Sequence, residues 1–365
     1  MAVYISVILM TTGLAYLYSK AKGNITKNIL FFVLVLVPAL VCGLRGVGTD
    51  YLGMVNNFDK ILGGNYYLVD YSSLWIQFLL LTGKMGINAQ VPICICSFIT
   101  ISIIFYIFKV YEKNIDITFA VFSFMTSFYL LSFNLYRQLL ANAIFLLGIV
   151  IYETKGNKQI YWILGAISVW IHSSCLPFLP IIFWWKFVVN ISERRKRLLF
   201  YVIGTICVFS IPVISNRIAR LITFLPHYAY YLEKFEFQGL GFGIVRYLVL
   251  AVCPALIYQK KRDNQKLIKA NLGFLNFFAI FGTILWLTSY VSETYIYRVS
   301  YGFLIALPLL HGVIAKDVVG RYRLTFKKRG FIFMLASISV ILVFCYYDFV
   351  VINSGVIVPY KFFWG

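Results

Sequence analysis

Charged residues are scarce in this 365-residue chain, and acidic residues are the scarcest of them. Asp and Glu together number 13, against 33 Lys and Arg, and the four types make up only 13% of the sequence. Average soluble domains carry about 25% charged residues, so this composition excludes a soluble enzyme and a disordered tail. The chain is 61% hydrophobic with a mean hydropathy of +0.84, which predicts a single integral membrane domain over residues 1–365.

Motifs that hold metals or nucleotides are absent as well. The sequence contains no C-x-x-C pair, no zinc-spaced His/Cys cluster, no D-x-D pair, no Walker A loop and no H-E-x-x-H motif. The seven cysteines lie almost wholly within apolar runs, which indicates core- or lipid-facing side chains. We therefore predict metal-independent chemistry without a cofactor.

Apolar runs predict an all-α polytopic membrane protein with about twelve transmembrane helices, since each span needs about 20 residues. The runs lie near 3–18, 29–44, 91–108, 117–133, 138–152, 159–172, 175–190, 198–215, 242–259, 270–290, 296–315 and 331–348. The short apolar segment 71–83 does not fit this series. We predict that residues 66–89 form an interfacial or re-entrant helix, with a thirteenth span as the alternative.

Basic residues are distributed unevenly between the two sets of loops. One side holds 23 Lys and Arg, and the other holds 10. Cytoplasmic loops carry the excess, so the first side is predicted to be cytoplasmic and both termini to face outward. The net charge of +20 is then a topology signal and an attraction to anionic lipids, not a nucleic-acid footprint. Residues 45–90 and 216–241 become outward segments.

The segment Cys42–Tyr51 leaves the second span through a glycine-rich turn. Gly46 and Gly48 permit positive φ angles and a close backbone approach to an anion. Arg45 adds a planar fork of donors that suits phosphate, and Asp50 can accept a proton or bind sugar hydroxyls. A plain turn, with an arginine that reaches the headgroups, is the alternative interpretation.

A polar face opens the span that follows residue 133. Asn134, Gln138 and Asn142 are spaced four apart and share one helix face, and Arg137 lies beside it. Such a face must meet protein or water. It predicts either hydrogen bonding between helices or the lining of an outward cavity.

Two other outward positions carry groups with acid–base or ionic chemistry. His172, followed by Ser173, lies at a break between apolar runs, either as a polar substrate ligand or acid–base group, or as a buried structural histidine. We discount a Ser–His nucleophile pair, because adjacent helical residues do not face each other. Glu293 and Arg298 form either part of a site or an ion pair that closes an outward turn.

Taken in order, these stretches resemble the EpsG-type members of the Wzy polysaccharide polymerases. The matching stretches are Leu44–Tyr51, Phe133–Gln138, Ile171–Ser174, the Tyr297-Arg298 turn and Val358–Phe362. One departure is the region at Asp70, where relatives carry a Glu-Pro pair.

The resemblance implies a GT-C-like membrane glycosyltransferase of the bacterial cytoplasmic membrane with an outward-facing active site. Such an enzyme joins undecaprenyl-diphosphate-linked repeat units into O-antigen, capsule or exopolysaccharide. The donor and acceptor glycans and membrane lipids would be its partners, with a chain-length regulator and a flippase beside it. The expected diphosphate cradle is Arg45, Arg137 and Arg298, and Tyr51 and Gln138 complete the substrate-binding set. The candidate bases are Asp50, His172 and Glu293.

Two other functions share these features. A flippase for lipid-linked repeat units would also carry a polar outward cavity, although paired halves with internal symmetry are not visible here. An O-antigen ligase would use the same lipid-linked donor. The glycan phenotype of a deletion strain distinguishes the three.

Overall fold

A computed structural model of the chain describes residues 1–69, 71, 73–180, 183, 187–188, 196, 199–203, 206, 243–264, 272–287, 296–321, 327–353 and 356–364. Regular structure in these ranges is helical, apart from an isolated antiparallel β-bridge between Arg45 and Phe362. The prediction of a helical protein is therefore confirmed. Part of the predicted span 175–190, most of the predicted span 198–215 and the whole loop 216–241 lie outside the described residues.

The helices follow the predicted apolar runs closely. The first eight are α1 (Ala2–Lys20), α2 (Asn24–Gly43), α3 (Thr49–Leu62), α4 (Ser73–Lys84), α5 (Gln90–Val110), α6 (Ile117–Ser127), α7 (Tyr136–Lys155) and α8 (Lys158–Ile171). The later ones are α9 (Gly243–Tyr247), α10 (Cys253–Asn264), α11 (Phe274–Leu287), α12 (Ile296–Leu304), α13 (Leu307–Arg321) and α14 (Lys327–Tyr346). Short 3₁₀ turns cover Tyr66–Leu68, Leu130–Phe133 and Ser173–Phe178, and π-helical turns cover Leu248–Val252 and Tyr347–Val351.

Several described segments are long and apolar enough to cross a bilayer. They are Ala2–Lys20, Asn24–Gly43, Gln90–Val110, Tyr136–Lys155 and Arg298–Lys316. Shorter apolar helices occur at Ile117–Ser127, Val245–Tyr258, Phe274–Leu287 and Ala336–Val351. The chain is a multi-pass helical membrane protein.

Met1–Cys175 and Pro308–Gly365 form one compact unit. In it α2 packs on α5, α5 on α7, α7 on α8, and α1 on both α2 and α6. Two capping residues define the turn between α7 and α8. Gly156, with φ of 69°, ends α7, and the Asn157 side chain accepts the Ile160 N–H at 3.0 Å to begin α8.

Different contacts mark the two ends of this unit. At one end, Glu112 accepts a hydrogen bond from Tyr18 (2.8 Å) and lies 3.6 Å from the Lys27 ammonium. At the other end, the Gln90 amide donates to the Gly43 carbonyl. Residues 44–89, which include α3 and α4, therefore leave and re-enter the helices at the same end. With 12 residues, α4 is much shorter than the roughly 20 residues that a bilayer requires.

Leu176–Leu307 form a second compact unit. Its core is aromatic. The Phe303 ring contacts the rings of Phe278 and Phe281, each at 5.2 Å between centroids, and that of Phe178 at 4.9 Å. These contacts join α11 to α12.

Candidate active site

Arg45 lies at the α3 end of α2 and is buried, with 1% of its surface exposed. Its guanidinium donates from Nε to the Phe133 carbonyl at 2.9 Å, from Nη2 to the Ser132 carbonyl at 3.3 Å, and from Nη1 to the Cys42 carbonyl. Its Cζ atom also lies 5.3 Å from the centre of the Phe133 ring. All three guanidinium nitrogens therefore donate hydrogen bonds to backbone carbonyls, and Arg45 joins α2 to the α6–α7 connection.

The C-terminal segment completes the same turn. Gly46 N–H donates to the Lys361 carbonyl at 2.8 Å, and Phe363 N–H donates to the Leu44 carbonyl at 3.1 Å. The Tyr360 hydroxyl donates to the Val41 carbonyl at 2.9 Å. Burial raises the pKa of the Tyr360 phenol to about 12, so the phenol stays protonated and remains a donor at neutral pH.

Glycine is required at two positions of this turn. A Cβ atom on Gly46 would lie 2.6 Å from the Phe362 carbonyl oxygen. Gly48 adopts φ of 111°, and a Cβ atom there would lie 2.7 Å from Asn134 Oδ1 and 2.8 Å from the Phe133 carbonyl oxygen. In the structure Gly46 brings the backbone against the C-terminal segment, and Gly48 brings it against the α6–α7 connection.

Gly48→Ala is expected to lower the free energy of unfolding by about 2–4 kcal/mol, because it combines backbone strain with a steric clash. Gly53→Ala is the matched control. Gly53 is an exposed α3 residue with open space where the alanine methyl group would lie, so alanine should be neutral or slightly stabilising there. Thermal unfolding of the detergent-purified proteins measures both, and equal melting temperatures would contradict the prediction.

Arg137 lies in the first turn of α7 and is half-buried. Its Cζ atom is 4.1 Å from the centre of the Tyr71 ring and 6.0 Å from that of Trp75. The Tyr71 hydroxyl in turn accepts a hydrogen bond from the Asn57 amide at 3.1 Å. Within the described ranges the Arg137 guanidinium makes ring contacts but no hydrogen bonds, in contrast to Arg45, whose three guanidinium nitrogens each donate to a carbonyl.

Tyr136 connects the two arginines. Its ring lies 5.8 Å from the Arg45 Cζ atom and 6.3 Å from the Trp75 ring. These ring and guanidinium contacts form one continuous group, which we call the cation–aromatic cluster. Its members, in order of contact, are Arg45, Tyr136, Trp75, Arg137 and Tyr71. Such contacts hold a guanidinium in place without using its N–H donors.

The polar face of α7 runs inward from this cluster. Asn134, Gln138 and Asn142 are all buried, at 8%, 2% and 0% exposure, so the prediction that this face meets protein or water is confirmed. Asn142 Oδ1 accepts from the Cys175 thiol at 3.4 Å. This contact brings the segment after α8 to the α7 face.

His172 ends α8, and its neighbour in space is Ser174 rather than Ser173. The Ser174 backbone N–H points at His172 Nδ1 at 3.3 Å, and the Ser174 hydroxyl lies 2.7 Å from the same atom. Because a backbone N–H only donates, Nδ1 is the acceptor and the proton of the neutral ring is on Nε2. His172 therefore presents a donor at Nε2.

A family model describing the EpsG family matches residues 28–362. The chain belongs to the EpsG family. No curated protein and no solved structure matches it. The match spans both compact units of this EpsG-family chain and every site residue predicted above. With the apolar helices, it identifies the chain as a polysaccharide-polymerase-type membrane protein.

The other predicted site residues of this EpsG-family chain are placed as follows. Asp50 is exposed in the first turn of α3. The Tyr51 hydroxyl donates to Gln90 Oε1 at 3.1 Å, and burial raises the pKa of this phenol. Arg298 is half-buried in the first turn of α12, in the second unit. Glu293 lies outside the described residues.

Three aromatic residues of the cluster, Tyr71, Trp75 and Tyr136, were not among the predicted site residues. Tyr71 and Trp75 lie in a segment that reads only as a short apolar helix. Tyr136 directly precedes Arg137 in the Phe133–Gln138 stretch. Its position next to an arginine near the end of a predicted span is the sequence feature that could have identified Tyr136.

Proposed function

We propose that the chain is a metal-independent membrane glycosyltransferase that polymerises undecaprenyl-diphosphate-linked repeat units on the outer face of the cytoplasmic membrane. The proposal includes twelve spans and a GT-C-like arrangement. The observation that carries it is the half-buried Arg137, whose guanidinium stacks on Tyr71 at 4.1 Å while its N–H donors stay available. A lipid diphosphate leaving group develops negative charge, and a preorganised guanidinium stabilises it.

The outward orientation is supported by the charge at the two ends of the first unit. At the end opposite Arg45 and Arg137, the last turns of α1, α5 and α7 carry Lys20, Lys109 and Lys155, and Lys27 lies 3.6 Å from Glu112. Excess Lys and Arg mark the cytoplasmic side. The end that carries the cation–aromatic cluster is then the outer one.

In the proposed reaction, a sugar hydroxyl of the acceptor attacks the anomeric carbon of the donor. The new glycosidic C–O bond forms as the bond from that carbon to the diphosphate breaks. The hydroxyl proton passes to a base, and the released lipid diphosphate carries the bonding electrons. Arg137 would hold the diphosphate, with Arg298 as a second candidate donor, and Gln138 and Tyr51 would contact sugar.

The roles of the remaining candidates follow from their environments. His172, which accepts at Nδ1 from the Ser174 N–H, stays a candidate substrate ligand or base together with Asp50 and Glu293. Arg45 uses its guanidinium on three carbonyls, so we assign it to positioning of the cluster rather than to direct phosphate contact.

Deletion of the gene tests the proposal. The surface glycan ladder is expected to collapse to single repeat units attached to the final acceptor, and wild-type protein should restore it. A flippase deletion would leave no repeat units at the surface, and a ligase deletion would leave polymer on the lipid carrier. Unchanged chain lengths would contradict the polymerase function.

A further inference from the structure

Two buried hydrogen-bond donors in the cation–aromatic cluster have no acceptor among the described residues. Trp75 is 4% exposed and Tyr136 is 6% exposed. Within that part of the chain, neither the Trp75 Nε1 atom nor the Tyr136 hydroxyl has a hydrogen-bond partner. Buried polar groups are nearly always paired, and an unpaired one costs free energy. Two such groups within one cluster indicate a partner that the protein itself does not supply.

We propose that Trp75 and Tyr136 are ligand-binding residues, and that they bind the diphosphate group of the lipid-linked substrate together with Arg137. This inference rests on the proposed function and names two residues of its site. It differs from the sequence-based prediction, in which arginines alone formed the diphosphate cradle.

The donors of the cluster determine the class of ligand. An indole N–H only donates, and a guanidinium only donates. The Tyr136 hydroxyl can donate or accept, so it fits either ligand, but the indole and the guanidinium offer no acceptor to a sugar hydroxyl, which is both donor and acceptor. A diphosphate consists of acceptor oxygens and negative charge, and it complements this set.

In the proposed site, Arg137 would move towards the ligand as it binds. Its guanidinium lies over the rings of Tyr71 and Trp75, and its side chain is half-buried at the edge of the cluster. Rotation of this long side chain from the rings onto a phosphate would uncover the Trp75 edge. The same motion would move the guanidinium from a cation–π contact to a charge-assisted hydrogen bond, which is the stronger interaction.

Two conservative substitutions isolate the donors. Trp75→Phe removes the indole N–H and keeps an aromatic ring, and Tyr136→Phe removes only the hydroxyl. The probe is inorganic pyrophosphate, titrated into detergent-purified full-length protein with the melting temperature as readout. Pyrophosphate should raise the wild-type melting temperature saturably. Its apparent affinity should fall about tenfold or more in each variant, as expected for loss of one hydrogen bond to a charged group.

The ligand-free melting temperature separates this role from a structural one. Tyr136→Phe removes only an unpaired buried hydroxyl and should leave this temperature unchanged or raise it, whereas Trp75→Phe also leaves a small cavity and should lower it slightly. Tyr129→Phe is the matched control, since the Tyr129 hydroxyl is buried and donates to the Pro38 carbonyl at 3.0 Å. That control should melt lower, with its pyrophosphate affinity unchanged. Trp364→Phe, at a 62% exposed position, should change neither quantity.

Three results would overturn the inference: no pyrophosphate effect on wild type, unchanged affinity in both variants, or a wild-type response to N-acetylglucosamine that the two variants lose while pyrophosphate binding persists. Each leaves the polymerase proposal intact if the deletion strain shows single repeat units. Unchanged glycan chain lengths on deletion would contradict the polymerase proposal instead, whatever the pyrophosphate titrations give.

Discussion

Arg137→Lys is expected to reduce surface polymer to single repeat units while the amount of protein in the membrane stays at the wild-type level. Lysine keeps the positive charge but lacks the planar fork that binds phosphate oxygens in pairs. Lysine also loses the contact of the planar guanidinium with the Tyr71 ring, whose centre lies 4.1 Å from the Arg137 Cζ atom in the wild-type structure. Removal of one preorganised donor to a developing anion slows a reaction by about 10²–10³-fold.

The control for Arg137→Lys is the same exchange at Arg246. That arginine also stacks on an aromatic ring, with its Cζ atom 5.2 Å from the centre of the Tyr247 ring, but it lies in the second unit and has no assigned part in the site. Arg246→Lys should keep the full glycan ladder. A normal ladder from Arg137→Lys, at normal protein level, would exclude Arg137 from the diphosphate site.

Arg45→Ala is expected to lower the stability of the protein strongly, by about 3–5 kcal/mol, because buried carbonyls lose a charged donor and the missing side chain leaves a cavity. The substitution leaves the carbonyls of Cys42, Ser132 and Phe133 without their guanidinium donors. It also opens a cavity between Phe133 and Tyr136. Less protein in the membrane and a lower melting temperature should accompany any loss of polymer.

Quantitative immunoblotting and thermal unfolding distinguish this from a catalytic defect. Lys361→Ala serves as the control, because the Lys361 side chain is exposed and only its backbone carbonyl bonds to Gly46. If Arg45→Ala lost polymer at a normal protein level and melting temperature, the result would favour the sequence-based prediction that Arg45 contacts phosphate directly.

The helices and the buried polar face of α7 were predictable from the sequence because both depend on local spacing. Apolar runs of bilayer length specify helices, and residues four apart share a helix face. The confirmed burial of Asn134, Gln138 and Asn142 follows from that spacing together with the cost of exposing amides to lipid.

The role of Arg45 was not predictable in the same way. A glycine-flanked arginine near a span reads equally well as a phosphate ligand or as a structural residue. The distinction depends on the carbonyls of Ser132 and Phe133, which lie 87 and 88 residues away in the sequence. The aromatic residues Tyr71 and Trp75 were missed for a related reason, since only the folded chain brings Trp75 beside Tyr136.

The β-bridge between Arg45 and Phe362 has a consequence for synthesis. Chains fold from the N-terminus as they are made, so α1 to α8 are inserted well before residues 356–364 leave the ribosome. The hydrogen bonds between the turn that carries Arg45 and the C-terminal segment, such as the one to the Lys361 carbonyl, can form only after that segment is synthesised. The end of this unit that carries Arg45 is therefore completed only after Lys361 and Phe363 have been synthesised.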